Sequence, residues 1–94
     1  MAELLSPSEI AAKANQLSAG WSVTDLQLQQ TREFKDFVEA IAFVNQLVEP
    51  AEAAGHHPDI EISYNKVTLS LTTHDAGGLT EKDFSLAQVL DQIS

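Results

Sequence analysis

The chain contains no cysteine, and this absence excludes several kinds of chemistry. Without thiols there is no disulfide, no cysteine nucleophile and no Cys-ligated zinc or iron–sulfur centre. Basic residues are scarce as well, because five Lys and Arg stand against fourteen Asp and Glu, for a net charge of −9. A chain this acidic repels phosphate backbones and anionic lipids, so we expect no direct contact with nucleic acid or membranes.

Long apolar runs and the common phosphate-binding motifs are also missing. No apolar stretch approaches the ~20 residues of a membrane-spanning helix, and the first residues, MAELLSPSEI, carry no basic targeting segment. We therefore expect a cytoplasmic protein, or one in an organelle lumen if a transit peptide has been removed. The motifs GxGxxG, GxxxxGK[ST] and GxSxG do not occur, which argues against a nucleotide cradle and a serine-hydrolase elbow.

What remains is enough for one small domain. The chain has 94 residues, of which 44% are hydrophobic, too many for a disordered tail. Chains usually divide into several domains only beyond ~250 residues, so we expect a single domain over residues 1–94.

Capping boxes and hydrophobic periodicity predict the secondary structure. Ser6-Pro7-Ser8-Glu9 opens a helix over about Pro7–Ser18 that Gly20 ends, and Thr80 with Asp83 opens the last helix. Residues 21–34 and 60–73 alternate as strand pairs, with turns near Thr24-Asp25 and at Asn65-Lys66.

Helical spacing over residues 37–51 predicts a long middle helix that ends at Gly55, with a kink or a loosened turn at Pro50. The predicted order is α-β-β-α-β-β-α. It is typical of an α+β two-layer sandwich, with a four-stranded antiparallel sheet and three helices on one face. Trp21 and the four Phe residues are predicted to belong to the core.

The three histidines are the best candidates for chemistry. His56 and His57 follow the middle helix, and His74 follows the last strand. If the two strands between them pair, these side chains come close together. Pro58 forces extended backbone on His57, so the two neighbouring imidazoles should point in different directions. Nearby acidic residues favour protonated imidazoles and would keep them useful for proton transfer near neutral pH.

Two other interpretations stand beside this one. A histidine at a helix C-terminus, such as His56, stabilises the helix dipole without any further role, and Asp83 does the same at a helix N-terminus. Histidines and carboxylates also suit zinc or iron, although neither HxxxH nor HxH occurs. We expect no metal.

The residues around the histidines resemble those of a known family. Glu52-x3-His56-His57-Pro58, with Tyr64, Thr73-His74 and Asp83, is similar to the signature of the pterin-4a-carbinolamine dehydratases, also known as dimerisation cofactors of a homeodomain transcription factor. The likeness runs from about Trp21 to the C-terminus. It departs at Lys82, where relatives often carry Arg. A lysine keeps the positive charge but cannot bind an anion through two parallel hydrogen bonds, as the arginine guanidinium does.

The resemblance implies an α+β sandwich that dehydrates a 4a-hydroxytetrahydropterin to a quinonoid dihydropterin, with neither metal nor cofactor. It implies that the catalytic residues are His56, His57 and His74: His56 and His74 form the acid–base pair, and His57 orients the pterin or shares the proton transfer. Glu52 and Asp83 are implied to hold the histidines. The implied substrate-binding residues are Glu52, Gly55, Pro58, Thr72, Thr73, Asp75 and Asp83.

The resemblance also implies self-association. The wide apolar stripe of the Phe37–Val48 helix independently favours a homodimer or homotetramer through this helix and the sheet edge. A non-catalytic dimerisation or assembly module on the same fold is the alternative to the enzyme. The sequence leaves open whether a pterin-dependent hydroxylase or another protein is a partner, and which histidine is the acid.

Overall fold

The structure is a computed structural model that describes residues 3–18, 20–24 and 26–93. Its elements follow the predicted order, with the middle helix divided into two consecutive helices. They are α1 (Pro7–Ala14), β1 (Ser22–Thr24), β2 (Gln27–Glu33), α2 (Phe37–Gln46), α3 (Val48–Ala54), β3 (Asp59–Ser63), β4 (Lys66–Leu71) and α4 (Glu81–Asp91).

The four strands form one antiparallel sheet in the order β1-β2-β4-β3, which confirms the predicted α+β fold class. The central strands β2 and β4 place Leu28 opposite Leu71. The edge strand β3 places Ile60 opposite Leu69 and Asp59 opposite Ser70. Because side chains alternate along a strand, the apolar members of these pairs share the face that the helices cover.

The core lies between that sheet face and the helices. Strand residues such as Leu69 pack with Phe43 of α2 and with Phe84 and Leu90 of α4 in one buried cluster. Trp21 and Phe34 are partly buried against the cluster, as predicted. Phe37 is half exposed, so its assignment to the core was wrong. It is the first residue of α2.

The middle helix breaks at Leu47, three residues before Pro50, where the kink was predicted. Pro50 lies in the first turn of α3, where a backbone N–H has no partner within the helix. The proline ring would also clash with the carbonyl of Gln46, four residues earlier, had one helix continued. The break therefore falls in the turn that precedes the proline.

Two other boundaries differ from the prediction. Helix α1 ends at Ala14 rather than near Ser18, although Gly20 has the predicted positive φ, 106°. The β3–β4 turn consists of Tyr64 and Asn65 rather than Asn65 and Lys66, because Ser63 pairs with Lys66. Of the predicted Thr24-Asp25 turn, Asp25 lies outside the described residues.

Both predicted capping boxes are present. In α1 the Ser6 hydroxyl accepts from the Glu9 N–H, and in α4 the Asp83 carboxylate accepts from the Thr80 N–H. Over residues 3–18, 20–24 and 26–93, no helix is long and apolar enough to cross a membrane.

Candidate functional site

The pairing of β3 with β4 brings the histidine segments to one end of the sheet. His56 and His57 precede β3, and His74 follows β4. Since the two strands are antiparallel neighbours, the chain enters β3 and leaves β4 at the same end. The observed register therefore places the histidine segments at the same end of the sheet, although it does not by itself bring the three side chains into one group.

His56 is bound to a fully buried carboxylate. Helix α3 ends at Gly55, whose left-handed backbone (φ 62°) turns the chain away from the helix axis. The next side chain, His56, lies with its Nε2 atom 2.6 Å from Oδ1 of Asp83 in α4. The Asp83 side chain is 0% exposed and that of His56 is 11% exposed.

A network of threonines fixes the Asp83 carboxylate. Its Oδ2 atom accepts from the Thr80 N–H and from the Thr73 hydroxyl, each at 2.9 Å. Thr80 Oγ1 lies 2.8 Å from Thr73 Oγ1. Because the Thr73 hydrogen points to Asp83, the Thr80 hydroxyl donates to Thr73. Asp83 thus joins the helix cap, the end of β4 and the histidine.

This network also selects the tautomer of His56. The carboxylate acts as an acceptor toward Thr73 and Thr80, so the His56 Nε2–H is the donor to Oδ1. The other ring nitrogen, Nδ1, then carries the lone pair when the imidazole is neutral. An imidazole held in this way can accept a proton at Nδ1 and donate it again.

His57 makes a second, more exposed pair. Its Nε2 atom lies 2.5 Å from Oε2 of Glu52, and the two side chains are 59% and 69% exposed. Glu52 therefore contacts His57, although it lies one helical turn before His56 in the sequence. Pro58 and His57 line a shallow depression that also contains Ile60 of the edge strand.

His74 is exposed at the start of a tight loop. The loop is closed by hydrogen bonds from Thr73 N–H to Gly78 carbonyl (3.0 Å) and from Gly78 N–H to Thr73 carbonyl (3.3 Å). His74 lines a depression with Leu26, Gln27, Thr72 and Gly77. The Thr72 hydroxyl donates to the Leu26 carbonyl at 2.7 Å. Asp75 is exposed in the same loop.

The three histidines line three different depressions around this end of the molecule. His56 opens into a cleft of about 460 Å³ between α3 and α4. Among the described contacts, no hydrogen bond joins one histidine to another. Among residues 3–18, 20–24 and 26–93, no three His, Asp or Glu side chains are grouped as a metal ion would require.

Some residues of the site were missed as site residues. Lys82, Ser85 and Val89 line the cleft with His56, and their spacing of three and four places them on one face of α4. Thr80 was recognised only as a helix cap. Its contact with Thr73 joins two elements, and local spacing gives no signal for such a contact.

The fold and site define a class of small α+β proteins that combine a helix-covered antiparallel sheet with a buried His–Asp pair and two exposed histidines. The family model described as Pterin 4 alpha carbinolamine dehydratase matches residues 3–93. The chain belongs to this family, as its resemblance indicated.

Relatives cover the whole chain. A protein of Nostoc sp., provisionally named pterin-4-alpha-carbinolamine dehydratase, is 67% identical over 94 residues, which is 100% of both chains. One of Acidobacterium capsulatum with the same provisional name is 51% identical over 89 residues, covering 95% of this chain and 96% of its own.

Solved structures give the same fold. A protein of Brucella melitensis, described as a transcriptional coactivator/pterin dehydratase, is similar with a TM-score of 0.87 and 33% identity, over 94% of this chain and 95% of its own. A pterin dehydratase-like protein described as a RuBisCO assembly factor in the alpha-carboxysome has a TM-score of 0.61 and 22% identity, over 77% and 83% of the two chains. The second likeness supports the fold alone.

Proposed function

We propose that this protein catalyses the dehydration of a 4a-hydroxytetrahydropterin to a quinonoid dihydropterin and water, a step in tetrahydropterin recycling. Membership of the dehydratase family supports this function. The observation that carries it is the His56–Asp83 pair, with Nε2 and Oδ1 2.6 Å apart, because it supplies an oriented imidazole for proton transfer.

The reaction needs two proton transfers and no net change in charge. A base removes the proton from N5 of the pterin, and the electrons of that bond form the N5–C4a double bond. The C4a–O bond breaks, and the departing hydroxyl takes a proton from an acid to leave as water. General acid–base catalysis of this kind typically contributes about 10²–10⁴-fold to the rate.

In the proposed mechanism, His56 and His74 form the acid–base pair. His56 is suited to accept a proton at Nδ1, because Asp83 binds its Nε2–H and stabilises the imidazolium that results. His74, exposed at the end of β4, reaches the opposite side of the bound pterin. His57 orients the ring and is itself oriented by Glu52.

The other proposed site residues act in two ways. Gly55 and Pro58 set the backbone before and after the two adjacent histidines, and Thr73 holds Asp83. Thr72 and Asp75 line the substrate pocket beside His74. We propose that one domain contains this whole site.

We further propose a homodimer or homotetramer that forms through α2 and the edge strand β3. Its support is the exposure of large apolar side chains: in α2, Phe37 is 50% and Val38 74% exposed, and Val48, the first residue of α3, is 59% exposed. Ile60 is exposed on β3, where the backbone can pair with another strand. A purely monomeric protein in sedimentation equilibrium would contradict this assembly.

A stopped-flow assay tests the function. A 4a-hydroxytetrahydropterin is generated in the instrument, and the quinonoid product is followed by its absorbance with and without protein. We expect a rate that rises in proportion to protein concentration above the slow spontaneous reaction. A folded protein that gives only the spontaneous rate would contradict the proposal.

A protein-binding module is the second candidate. The exposed apolar side chains of α2 favour it, and the similar Brucella melitensis protein is described as a coactivator as well as a dehydratase. The Asp83→Asn variant separates the two functions, because it removes the proposed catalytic geometry and leaves the α2 surface unchanged. Partner binding by this variant, together with a wild type that lacks dehydratase activity, would favour the module.

A further inference from the structure

The segment that precedes α1 lies against the loop that carries His74. The Leu5 N–H donates to the Leu79 carbonyl at 3.0 Å, which attaches this segment to the chain between Gly78 and the N-cap of α4. We call Leu4 and Leu5 the N-terminal strap.

Leu4 lies next to Gly78 at the end of the loop and is 56% exposed. A methyl group on Gly78 would lie 3.0 Å from Cδ2 of Leu4 and 3.6 Å from Cδ2 of Leu26. The distance to Leu26 is an ordinary van der Waals contact, but a side chain at Gly78 would require the end of Leu4 to shift by a few tenths of an ångström. Leu26 also lines the depression that contains His74, so the strap and the histidine share a neighbour.

Hydrogen bonds hold the loop at both of its ends. Thr73 donates to the buried Asp83 carboxylate, and hydrogen bonds between Thr73 and Gly78 close the loop. Between these two residues, His74 has an exposed side chain. His74 therefore belongs to the turn that the hydrogen bonds between Thr73 and Gly78 close.

Helix α1 follows the strap and contains no fully buried residue, but Leu5, Ile10 and Ala14 pack, partly buried, against the core, and polar contacts add to this attachment. Lys13 Nζ lies 2.7 Å from Oε2 of Glu81 at the start of α4. At the other end of α4, Asp91 accepts at Oδ1 from the Ser18 hydroxyl and from the Trp21 indole N–H, each at 2.7 Å. The N-terminal region is therefore attached to both ends of α4.

We propose that Leu4 and Leu5 are positioning residues for His74. The Leu5 N–H fixes the position of Leu79, and the Leu4 side chain packs against Gly78. Together they hold the loop so that His74 keeps the geometry needed for proton transfer. This inference rests on the proposed function, since it assigns the strap an effect on a catalytic histidine. A displacement of about 1 Å at a catalytic group can slow a reaction by as much as ~10²-fold.

The kinetic test compares Leu4→Ala and Leu5→Pro with Leu5→Ala as a matched control. Leu5→Pro and Leu5→Ala both lose the side chain, but only the proline loses the N–H that binds Leu79. We expect kcat to fall about 10-fold in Leu4→Ala and further in Leu5→Pro than in Leu5→Ala, with little change in KM. The conservative Leu4→Met should recover most of the rate.

The same substitutions are then made in the His74→Ala protein and measured at excess protein, where slow turnover is still visible. We expect no further loss there, because the strap acts through His74. An equal loss with and without His74, or no loss in the wild-type background, would overturn the proposal.

Histidine-ring NMR provides a readout that does not need activity. In Leu4→Ala the ring resonances of His74 should shift or broaden while those of His56 and His57 stay in place. Unchanged His74 resonances would overturn the positioning role. If the wild type proves inactive but the His74 resonances change as expected, the strap remains supported and the proposed function alone fails.

Discussion

The Nε2 atom of His56 lies 2.6 Å from Oδ1 of Asp83, and this carboxylate is completely buried. The contact joins the residue that follows α3 to the first turn of α4. A buried carboxylate with three donors cannot lose one without leaving polar atoms unsatisfied. The pair therefore couples the stability of the sheet end to the orientation of a candidate catalytic imidazole.

We predict that Asp83→Asn impairs both activity and stability. The amide has only one acceptor atom: if its nitrogen faces Thr73 and Thr80, they lose their acceptor, and if it faces His56, it donates to Nε2 and imposes the opposite tautomer. We expect kcat to fall about 10²-fold or more and the free energy of unfolding to fall by about 1–3 kcal/mol. Stopped-flow kinetics and urea unfolding followed by the fluorescence of Trp21 measure the two effects. A fully active Asp83→Asn protein would contradict this role.

Glu52→Gln is the matched comparison on the exposed pair. Glu52 and His57 are 69% and 59% exposed, so water screens their interaction. We expect stability to change by only about 0–1 kcal/mol. The rate should fall much less than in Asp83→Asn, because water replaces the lost contact to His57. If Glu52→Gln were the more damaging of the two in urea unfolding, burial would not be the deciding factor.

Gly55→Ala tests the backbone turn that presents His56. Gly55 has φ 62°, and an added methyl group would meet nothing within 4 Å, so conformational strain is the only cost. We expect a loss of about 1–2 kcal/mol in the free energy of unfolding. Gly55→Asn should lose less, because asparagine tolerates the left-handed region better. If Gly55→Ala and the wild type were equally stable in urea, a non-glycine residue would not be strained at this position.

The pH dependence of stability should report on Asp91. Burial acts to raise the pKa of this carboxyl, but hydrogen bonds from Ser18 and Trp21 and the charge of Arg32 outweigh it, and the pKa is lowered. Folding therefore favours the ionised form. The resulting stabilisation is complete above the ordinary pKa of about 3.9 and is lost as the pH falls through the lower, folded-state value.

Asp91→Asn should accordingly be less stable than the wild type at neutral pH, by about 1–3 kcal/mol. The difference should narrow as the pH falls below the ordinary carboxyl pKa. Circular dichroism is the appropriate probe, because Trp21 contacts the substituted side chain. A difference that stays constant down to the most acidic pH at which the protein folds would show that the charge of Asp91 is unimportant.

Much of the fold could be predicted because its signals are local. The capping boxes at Ser6 and Thr80 and the alternation in the strands depend on residues a few positions apart. The break at Leu47 instead of Pro50 is a small error of the same local kind. It arose because a proline constrains the carbonyl four residues before it, so the break precedes the proline itself.

The β3–β4 turn shows a limit of periodicity. A turn at Asn65-Lys66 would have shifted the pairing by two residues, and such a shift leaves every side chain on the same face. Alternation therefore cannot distinguish the two registers. Two hydrogen bonds between Asn65 and Phe34 accompany the observed register. The Asn65 side-chain amide donates to the Phe34 carbonyl, and the Phe34 N–H donates to the Asn65 carbonyl, both at 2.8 Å.

The hydrogen-bonded pairs of the candidate site could not be predicted from the sequence. Sequence proximity associates Glu52 with His56, yet Glu52 contacts His57 and the partner of His56 comes from a helix 27 positions away. The threonine network around Asp83 depends on the packing of α4 against the end of β4. No spacing in the sequence encodes such packing.

The most direct test of the central claim is the stopped-flow dehydration rate of the wild type beside His56→Ala and His74→Ala, all shown to be folded by circular dichroism. We predict that the wild type accelerates formation of the quinonoid product and that each substitution lowers kcat by about 10²-fold or more. Two folded variants that retain the wild-type rate would contradict histidine acid–base catalysis at this site.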